Sequence, residues 1–590
     1  MTTSVMNFES LNVPRPEYPR PQWVRPDWIN LNGQWGFEID HGKSGKERGF
    51  SEPGHDLSGA ITVPFCPESK LSGIENKDFM AAVWYKREFS LPDNWTGGRI
   101  ILHFGAVDYE TEVWVNGVAV GTHRGGYSSF SFDITAAISP GENIITVYAE
   151  DDIRSGRQAR GKQSGRFRSQ GCDYTRTTGI WQTVWLEHVP ESFLSNMKLV
   201  ADPDNACVHM ELLIGGNAAA AAATISASAS YEGKTVGEVS VVVSGSSIKI
   251  KLPLSEVHLW EVGNARLYDL QLTLYKQGQV SDSVSSYFGL RTVRLDGMAF
   301  RINGKSVFQR LVLDQGFYPE GIYTAPSDED LRKDIEISMG LGFNGARLHE
   351  KMFEPRYLYW ADKLGYLVWG EHANWGLDIC TAEGLSQFLP EWIEGMERDF
   401  NHPGLIGWCP FNETWDRDGA KQNNDVLRIT YEVTKRMDPT RPVIDTSGNF
   451  HVVTDIFDIH DYDQNPETFK ERYEPMKSGG EVFVTFSDRQ KYEGQPYFIS
   501  EYGGIWWNPE QKDEQSWGYG DRPTSEEAFI KRYEGLTNVL LDHPMMFGFC
   551  YTQLYDVEQE VNGLYTYDRK PKFNPDTIRQ INTRKAAIED

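Results

Sequence analysis

Hydrophobic and polar residues alternate with a period of two along much of the first 190 residues, which is the pattern of half-buried β-strands. Residues 111–115 alternate in this way and run into Asn116 and Gly117, which precede another apolar stretch. An Asn-Gly pair between two such stretches predicts a hairpin, because both turn positions require positive φ. Residues 181–186 repeat the alternation. We therefore predict that residues 1–190 form a β-sandwich of the jelly-roll type.

The next hundred residues keep the strand pattern but differ in composition. Aromatic residues become sparse, while alanine, serine, valine and glycine increase. Residues 239–243, 248–252 and 270–274 are strand-like. The alanine run at 218–223 is predicted to be non-helical, because two glycines precede it and a Ser/Thr-rich strand pattern follows. A second sandwich, of immunoglobulin-like size, is predicted for residues 191–292.

From residue 293 onward, strand-like runs alternate with runs of helical period. Apolar strands begin near residues 308, 344, 366, 405, 443, 456, 497 and 547, and amphipathic helices are predicted at 328–339, 392–400, 426–437 and 525–541. Eight strands alternating with helices predict a (β/α)8 TIM barrel over residues 293–590. A doubly wound sheet is the alternative, but no glycine-rich phosphate-binding turn follows the first strand.

Length, charge and cysteine spacing narrow the function classes. A chain of 590 residues exceeds the size of one hydrophobic core. Its 84 acidic and 58 basic residues give a net charge of −26, which repels phosphate backbones and anionic lipids, so no nucleic-acid or membrane partner is expected. No apolar run is long enough to span a membrane, and residues 1–9 lack the features of a signal peptide. Six scattered cysteines without C-x-x-C spacing favour a reduced, cytoplasmic location.

Two glutamates follow apolar runs of the predicted barrel directly, where TIM-barrel enzymes carry their chemistry. Glu413 follows the run 404–411 together with Asn412, and Glu501 follows the run 496–500. Burial next to a strand raises the pKa of a glutamate, which suits a general acid. Two such glutamates facing one cavity are the groups that glycoside hydrolysis requires. Each could instead cap a strand and pair with a surface arginine, and the residues alone weigh the two interpretations equally.

The whole chain resembles family 2 of the glycoside hydrolases, which contains β-galactosidases, β-glucuronidases and β-mannosidases. Residues 401–413 resemble the acid/base segment of that family, which ends in Asn-Glu, and residues 498–503 resemble its nucleophile segment. Residues 31–37 and 113–117 are typical of its first domain. The resemblance implies an exo-acting, retaining double displacement without cofactor or metal. Glu501 would form a covalent glycosyl-enzyme, and Glu413 would act first as acid and then as base.

The same resemblance implies substrate-binding roles for further residues. Asp173 lies in a first-domain loop that would reach the substrate, Arg347 would keep Glu501 ionised, and Tyr462 would hydrogen-bond that nucleophile. The other candidates for the substrate pocket are Asn412, His349, Glu371, Trp506, Trp507 and Tyr551. His460 is interpreted as structural, as most lone histidines are. A small glycoside or oligosaccharide is the expected partner, and a homo-oligomer is a family-level expectation.

Two departures from the family bear on the identity of the sugar. Where β-glucuronidases carry Asn-x-Lys to hold the sugar carboxylate, this chain has Glu560 and Asn562, and the glutamate would repel a carboxylate. The Tyr-Ala-His of long β-galactosidases is Tyr-Gly-Gly here, at 502–504. We predict a terminal neutral sugar, with a β-galactoside first. The β-glucosides, β-xylosides, β-mannosides and α-L-arabinosides stay open, and β-glucuronides rank lower.

Two rival classes are compatible with the same architecture. A transglycosylase would use the same covalent intermediate and pass the sugar to another hydroxyl, so the residues do not separate it from a hydrolase. A non-catalytic carbohydrate-binding protein would be expected to lack one of the carboxylates, yet both Glu413 and Glu501 are present.

Overall fold

A computed structural model of the chain describes residues 13–216, 223–243, 245–510 and 515–589. The segment 1–9, for which no signal peptide is predicted, and residues 218–222 of the alanine run lie outside these ranges. Within the described ranges, no helix is both long enough and apolar enough to cross a membrane. Two β-sandwiches and a TIM barrel follow one another along the chain, as the sequence predicts.

The first sandwich packs a four-stranded sheet on a six-stranded one. Its strands are β1 (Trp28–Asn30), β2 (Gly33–Ile39), β3 (Gly59–Val63), β4 (Ala82–Ser90), β5 (Arg99–Phe104), β6 (Val107–Asp108), β7 (Glu110–Val115), β8 (Val118–Arg124), β9 (Phe130–Asp133), β10 (Glu142–Glu150), β11 (Gly179–Ile180) and β12 (Val184–Val189). The sheet orders are β1-β12-β5-β9 and β3-β2-β4-β10-β7-β8. Asn116 and Gly117 have φ of 52° and 78° at the turn between β7 and β8, which confirms the predicted hairpin.

The second sandwich has two antiparallel sheets, ordered β13-β14-β17 and β16-β15-β18-β19. Its strands are β13 (Ser192–Asp202), β14 (Cys207–Gly216), β15 (Ala223–Tyr231), β16 (Lys234–Val243), β17 (Ser247–Pro253), β18 (Leu267–Lys276) and β19 (Gln279–Gly289). Alternate residues of β18, among them Leu270, Leu272 and Leu274, are buried between the sheets. This period of two is the alternation that the sequence shows.

A small antiparallel sheet leads into the barrel and closes one end of it. Its strands are β20 (Val293–Asp296), β21 (Ala299–Ile302) and β22 (Lys305–Ser306). The ring of Phe300 stacks on Phe547, with ring centroids 5.8 Å apart, and lies 6.5 Å from Trp369. These side chains belong to one buried cluster in the barrel interior. The opposite end of the barrel is therefore the end that stays available for a site.

The barrel strands run parallel, as a (β/α)8 fold requires. They are β23 (Gln309–Asp314), β24 (Gly345–Leu348), β25 (Leu367–Glu371), β26 (Leu405–Cys409), β27 (Phe411–Asn412), β28 (Thr446–Ser447), β29 (Phe457–Asp461), β30 (Tyr497–Gly503) and β31 (Met546–Thr552). Seven of them form one sheet, ordered β26-β25-β24-β23-β31-β30-β29. The strand predicted near 443 is reduced to a bridge from Val443 to Trp408 and to β28, which pairs with β27.

Seven α-helices accompany these strands within the described ranges. They are α1 (Asp328–Gly340), α2 (Pro355–Leu364), α3 (Ala382–Asp399), α4 (Asn424–Met437), α5 (Pro466–Lys477), α6 (Glu526–Leu541) and α7 (Pro575–Asn582). The helix predicted at 392–400 begins ten residues earlier, because α3 continues through Pro390. Proline normally breaks a helix, so the sequence pattern hid the first half of α3.

Candidate active site

Glu413 and Glu501 meet at the C-terminal end of the barrel. A carboxylate oxygen of each lies within 4.8 Å of the other and of a ring nitrogen of His460. Glu501 lies near the C-terminal end of β30, two residues before Gly503, with only 4 % of its surface exposed. Glu413 has φ of 44°, a conformation that non-glycine residues rarely adopt, and its N–H donates to the carbonyl of Ser447 at 2.9 Å. The structure thus brings together the two glutamates that the sequence places at strand ends.

The guanidinium of Arg347 joins several of the predicted site residues. It donates from Nη1 to Oε1 of Glu501 at 3.1 Å and from Nε to Oε1 of Glu371 at 2.6 Å. Its Nη2 lies 3.2 Å from Oδ1 of Asn412. Nη1 also donates to the carbonyl of Ser500 at 2.8 Å. The planar donors of an arginine suit this convergence, and the side chain is almost completely buried.

Glu371 and His349 lie beneath the two catalytic candidates. Nδ1 of His349 is 3.2 Å from Oε2 of Glu371 and 4.0 Å from Oε1 of Glu501. Burial raises the pKa of Glu371 above its ordinary value, although Arg347 opposes that shift. Burial and the positive charge of Lys162 hold the pKa of His349 well below its usual range. The imidazole of His349 therefore lies beside the nucleophile candidate, in surroundings that disfavour its protonated form.

Tyr462 approaches the second oxygen of the nucleophile. Its hydroxyl donates to Oε2 of Glu501 and lies 3.2 Å from Oγ1 of Thr552. Its ring stacks on Tyr519, with centroids 3.4 Å apart and planes 5° apart. Tyr519 belongs to the long loop after β30, and no sequence signal identified it. The two carboxylate oxygens of Glu501 are thus held by Arg347 on one side and Tyr462 on the other.

His460 contacts both catalytic candidates, although the sequence analysis interprets it as structural. Its Nδ1 is 2.7 Å from Oε1 of Glu413, and its Nε2 is 3.4 Å from Oε1 of Glu501. Burial alone would raise the pKa of Glu413, but the hydrogen bond and charge of His460 lower it below its ordinary value. A histidine in a strand looks the same in sequence whether it packs in a core or faces a site.

A loop of the first sandwich reaches the barrel mouth and carries Lys162 with it. The N–H groups of Arg160 and Gly161 donate to the carbonyl of Trp375 at 2.7 and 3.2 Å. The ammonium of Lys162 lies 3.8 Å from the centroid of the Trp375 ring. Burial lowers the pKa of Lys162, but nearby acids, including Glu560, raise it above its usual value overall. A charged lysine from another domain therefore faces the glutamates, which the sequence analysis missed.

The amide of Asn374 and the indole N–H of Trp375 close the wall beside Glu413. Nδ2 of Asn374 donates to the carbonyl of Asn412 at 2.9 Å, and Oδ1 of Asn374 accepts from the N–H of Asn412 at 2.6 Å. Nε1 of Trp375 donates to the same carbonyl at 3.2 Å. These three bonds fix the backbone immediately before Glu413.

Glu560 forms the opposite wall, at the position where the sequence departs from the glucuronidase pattern. Its Oε2 accepts from the hydroxyl of Tyr174 at 2.5 Å, and its Oε1 accepts from Nδ2 of Asn562 at 2.9 Å. Burial raises the pKa of Glu560, although Lys162 opposes the shift. Glu560 has 2 % of its surface exposed, and its carboxyl group interacts with the charges of Lys162 and Glu501.

Three predicted pocket residues make their contacts elsewhere. The carboxylate of Asp173 pairs with Arg160 at 3.0 Å. The ring of Trp507 lies 6.4 Å from Phe529 of α6 and packs against the main hydrophobic cluster. Trp506 lies beside the guanidinium of Arg522, 4.4 Å from the ring centroid. Their roles in substrate binding stay predictions, because none of these contacts joins them to either catalytic candidate.

Tyr551 departs from its predicted position in the pocket. Its ring packs against Tyr502 and, on α6, Tyr533, with centroids 5.6 and 4.9 Å apart. Neighbouring side chains in a strand point to opposite faces, and the next residue, Thr552, meets Tyr462 in the site. Tyr551 therefore faces the helical layer, and its role in substrate binding stays a prediction.

Two groups of residues in the described ranges hold three potential metal ligands within 4.8 Å of one another. One consists of Glu413, His460 and Glu501, whose separations are accounted for by the hydrogen bonds above. The other lies on the second sandwich, where Nε2 of His209 is 3.4 Å from Oδ2 of Asp202 and 3.7 Å from Sγ of Cys207. This second group is remote from the barrel mouth in sequence and belongs to a different domain.

Comparison with known families gives the class of protein that the fold and the site define. Residues 29–190 match the sugar binding domain of glycosyl hydrolases family 2, residues 193–291 match the family 2 domain that follows it, and residues 293–585 match the family 2 TIM barrel domain. Together these matches span most of the chain. The chain belongs to glycosyl hydrolases family 2, and is a glycoside hydrolase of that family.

Individual relatives agree with this assignment. The chain is 28% identical over 381 residues to a putative β-glucuronidase of Formosa agariphila, covering 61% of this chain and 44% of the relative. It is 26% identical over 413 residues to a β-galactosidase of Thermoanaerobacter pseudethanolicus, covering 67% and 52% respectively. The chain thus spans about half the length of these two relatives. A β-glucuronidase from Ruminococcus gnavus in complex with D-glucuronic acid shares the fold, with a TM-score of 0.77, 20% identity, and 97% and 100% of the two chains covered.

Proposed function

We propose that this glycoside hydrolase is an exo-acting, retaining enzyme in which Glu501 is the nucleophile and Glu413 is the general acid and base. The observation that carries the proposal is the approach of their carboxylate oxygens to within 4.8 Å. Retaining enzymes keep the two carboxyl groups about 5–5.5 Å apart, whereas inverting enzymes leave about 6.5–9.5 Å for a water molecule. Nearest oxygens within 4.8 Å of each other agree better with the shorter, retaining separation, which favours a direct attack by Glu501 on the anomeric carbon.

The contacts of Glu501 support its role as nucleophile. The hydrogen bonds from Arg347 and Tyr462 orient its two oxygens. Glu413 would donate a proton to the glycosidic oxygen as the bond breaks. It would then take a proton from the water that releases the sugar from Glu501. Asn412, fixed between Arg347 and Asn374, would present its amide to the hydroxyl next to the anomeric carbon.

The walls of the site support an exo mode of action. The loop that carries Lys162 docks on Trp375, and Tyr174 from the same domain bonds to Glu560 of the barrel. Together they close one side of the barrel mouth with residues of two domains. A pocket closed on one side suits a terminal sugar, whereas an internal unit of a chain needs an open groove on both sides.

For the terminal sugar we propose a neutral residue, with a β-galactoside first among the neutral sugars. Glu560 supports this choice, because its buried carboxyl offers oxygen acceptors to sugar hydroxyls and would repel a second carboxylate. Asn562 lies beside it and lacks the charge that would hold a uronate.

A β-glucuronide is the second candidate, and two observations favour it. A relative from Formosa agariphila is named as a putative β-glucuronidase, and a fold neighbour is a β-glucuronidase. In addition, the ammonium of Lys162 points into the same region as Glu560 and could balance a sugar carboxylate. This lysine comes from the first domain rather than from the barrel segment that the glucuronidase pattern uses.

The test is the initial rate on a panel of nitrophenyl glycosides, with Glu501→Gln as the inactive control. The panel contains β-galactoside, β-glucoside, β-xyloside, β-mannoside, α-L-arabinoside and β-glucuronide. One dominant neutral glycoside whose cleavage is lost in Glu501→Gln would support the proposal. A dominant β-glucuronide would establish the second candidate. Wild-type rates in Glu501→Gln would overturn the catalytic assignment itself.

A further inference from the structure

A single imidazole lies between the two catalytic carboxylates. Nδ1 of His460 lies 2.7 Å from Oε1 of Glu413, and its Nε2 lies 3.4 Å from Oε1 of Glu501. Nε2 also lies 3.0 Å from Oγ of Ser447. Each ring nitrogen therefore has a partner, and the state of one nitrogen can be deduced from the partner of the other.

Ser447 determines which ring nitrogen of His460 carries the fixed hydrogen. The hydroxyl of Ser447 donates its single hydrogen to Oδ2 of Asp458 at 2.7 Å, because a carboxylate is a stronger acceptor than an imidazole. Oγ of Ser447 is then an acceptor towards His460, so Nε2 carries a hydrogen. The same Nε2 lies 3.4 Å from Oε1 of Glu501.

With Nε2 protonated, one further proton must lie between Nδ1 of His460 and Oε1 of Glu413. At 2.7 Å the two atoms are hydrogen-bonded, and neither can donate unless one of them holds that proton. It resides either on Glu413, as a carboxylic acid, or on His460, as an imidazolium facing a carboxylate. A general acid needs such a proton within the site.

We propose that His460 is a positioning residue that stores the catalytic proton of Glu413 and returns it when the glycosidic bond breaks. This inference rests on the proposed retaining mechanism. The surroundings of the ring agree with it: burial alone lowers the pKa of His460, but Glu501 and Glu413 raise it above its ordinary value. Within the described residues, the pair itself and the charged and titratable groups that interact with it are Glu413, His460, Glu501, Glu371, Arg347, His349, Asp458, Lys162, Tyr462, Tyr519 and Cys172.

Proton and charge balance in both half-reactions. In the first, the proton moves from Nδ1 through Glu413 to the glycosidic oxygen, the bond from the anomeric carbon to that oxygen breaks, and an oxygen of Glu501 bonds to the carbon. Esterification removes the negative charge of Glu501, one of the two anions that hold the proton on His460. In the second, water attacks the same carbon and gives a proton to Glu413. Glu501 leaves as a carboxylate, and the proton is shared with His460 again.

Gly448 leaves the space that the imidazole occupies. A Cβ on this residue would lie 2.5 Å from both Cε1 and Nδ1 of His460, closer than real Cβ contacts come. Its φ of 94° is also in the region that favours glycine. A methyl group here would push the ring away from Glu413 without changing its chemistry. Gly448→Ala therefore perturbs the same hydrogen bond by a different route.

The test measures the pH dependence of kcat/KM for two glycosides of the sugar that is cleaved best in the nitrophenyl panel. One glycoside has a phenol leaving group and the other a 2,4-dinitrophenol leaving group. For His460→Gln we expect kcat/KM on the phenyl glycoside to fall about 10²-fold, and on the dinitrophenyl glycoside far less, because a good leaving group needs little protonation. The basic limb of the phenyl profile should move to lower pH. A glutamine can donate to Glu413 but holds no titratable proton.

Two controls separate this inference from the proposed function. His188→Gln changes a histidine of the first sandwich, whose ring contacts the carbonyl of Gly97 and stacks on Trp95, and should leave both profiles unchanged. Glu501→Gln should be inactive; if it were active, the retaining mechanism itself would fail. If Glu501→Gln is inactive, the retaining mechanism stands. An unchanged basic limb in His460→Gln, or equal losses of kcat/KM on both substrates, would then overturn the role of His460 but not the proposed function. If the unfolding midpoint shows that His460→Gln does not fold, Gly448→Ala decides by the same two readouts.

Discussion

The hydroxyl of Tyr174 lies 2.5 Å from Oε2 of Glu560, so a side chain of the first sandwich bonds directly to the barrel beside the proposed active site. The two residues are 386 positions apart in the chain. Because Glu560 is buried and faces both Lys162 and Glu501, its charge depends on this partner and on Asn562. The pocket is therefore a product of domain packing as much as of the barrel itself.

The first prediction concerns selectivity at Glu560. Glu560→Gln keeps the shape of the side chain but removes the charge that would repel a sugar carboxylate. We expect the ratio of kcat/KM for a β-glucuronide to that for a neutral glycoside to rise by about 10-fold or more, since like charges in close contact cost several kcal/mol. Tyr174→Phe, which removes only the hydrogen bond, serves as the matched variant and should change the ratio less. An unchanged ratio in Glu560→Gln would separate this residue from sugar selection.

A second prediction concerns the acid role of Glu413. In Glu413→Gln, kcat/KM on a phenyl glycoside should fall about 10²–10⁴-fold, because no proton reaches the leaving oxygen. The dinitrophenyl glycoside should retain most of its kcat/KM. Glu432→Gln, on the exposed face of α4, is the control and should match the wild type on both substrates. A uniform loss on the two substrates would argue that Glu413 binds sugar rather than transferring a proton.

A third prediction tests the convergence of hydrogen bonds on Arg347. Arg347→Lys keeps the positive charge but cannot reach Glu371, Glu501 and the carbonyl of Ser500 together with Asn412. We expect a loss of about 1–3 kcal/mol in the free energy of unfolding, since buried acceptors lose their donors. The value of kcat should fall as well.

The matched control for that variant is an arginine on the surface. Arg428 pairs with Asp425 on the exposed side of α4, and Arg428→Lys should leave both stability and kcat within error of the wild type. Chemical unfolding and initial rates on the best glycoside measure the two quantities. Equal behaviour of the two variants would show that the buried arginine has no special role.

A fourth prediction concerns the pH dependence of stability through His451. Its Nδ1 is 2.7 Å from Oδ1 of Asp445 and its Nε2 is 3.2 Å from Oδ1 of Asp458. Burial opposes the charged ring, but the two aspartates raise the pKa of His451 to about 10. An unfolded histidine has a pKa of about 6.5. The stabilisation is therefore complete below about pH 6.5 and disappears as the pH rises towards 10.

His451→Asn isolates that contribution from other titrating groups. Thermal unfolding midpoints measured from pH 6 to pH 10 should fall with pH more steeply for the wild type than for the variant. The two curves should approach each other near pH 10, where about half of the wild-type imidazoles have lost their proton. Parallel curves across the range would mean that the ring is neutral throughout.

The architecture and the principal chemistry were readable from the sequence because they depend on local order. Alternation of apolar residues predicts the strands, and the change to helical period marks the barrel. Glu413 directly follows β27 and Glu501 lies near the end of β30, and the C-terminal strand ends of a parallel barrel share one face. Position along the chain is therefore enough to place both carboxylates at the same mouth.

The same local logic failed where more than one geometry satisfies the pattern. Tyr551 and Thr552 are neighbours at the end of β31, and the sequence does not say which of them faces the lumen. The structure turns Thr552 towards Tyr462 and Tyr551 towards α6. Pro390 misled the prediction of α3 in a similar way. Proline normally ends a helix, so the sequence predicts a helix start after Pro390, whereas α3 continues through it.

The order of the domains, the family resemblance and the two glutamates near strand ends all follow from the amino-acid sequence. The partners of those glutamates depend on how the chain folds in three dimensions. Lys162 and Tyr174 come from a different domain, and the proposed role of His460 follows from its distances to Glu413 and Glu501. Proton affinity and charge compensation depend on atoms a few ångströms apart in space, and those atoms are separated by hundreds of residues in the chain.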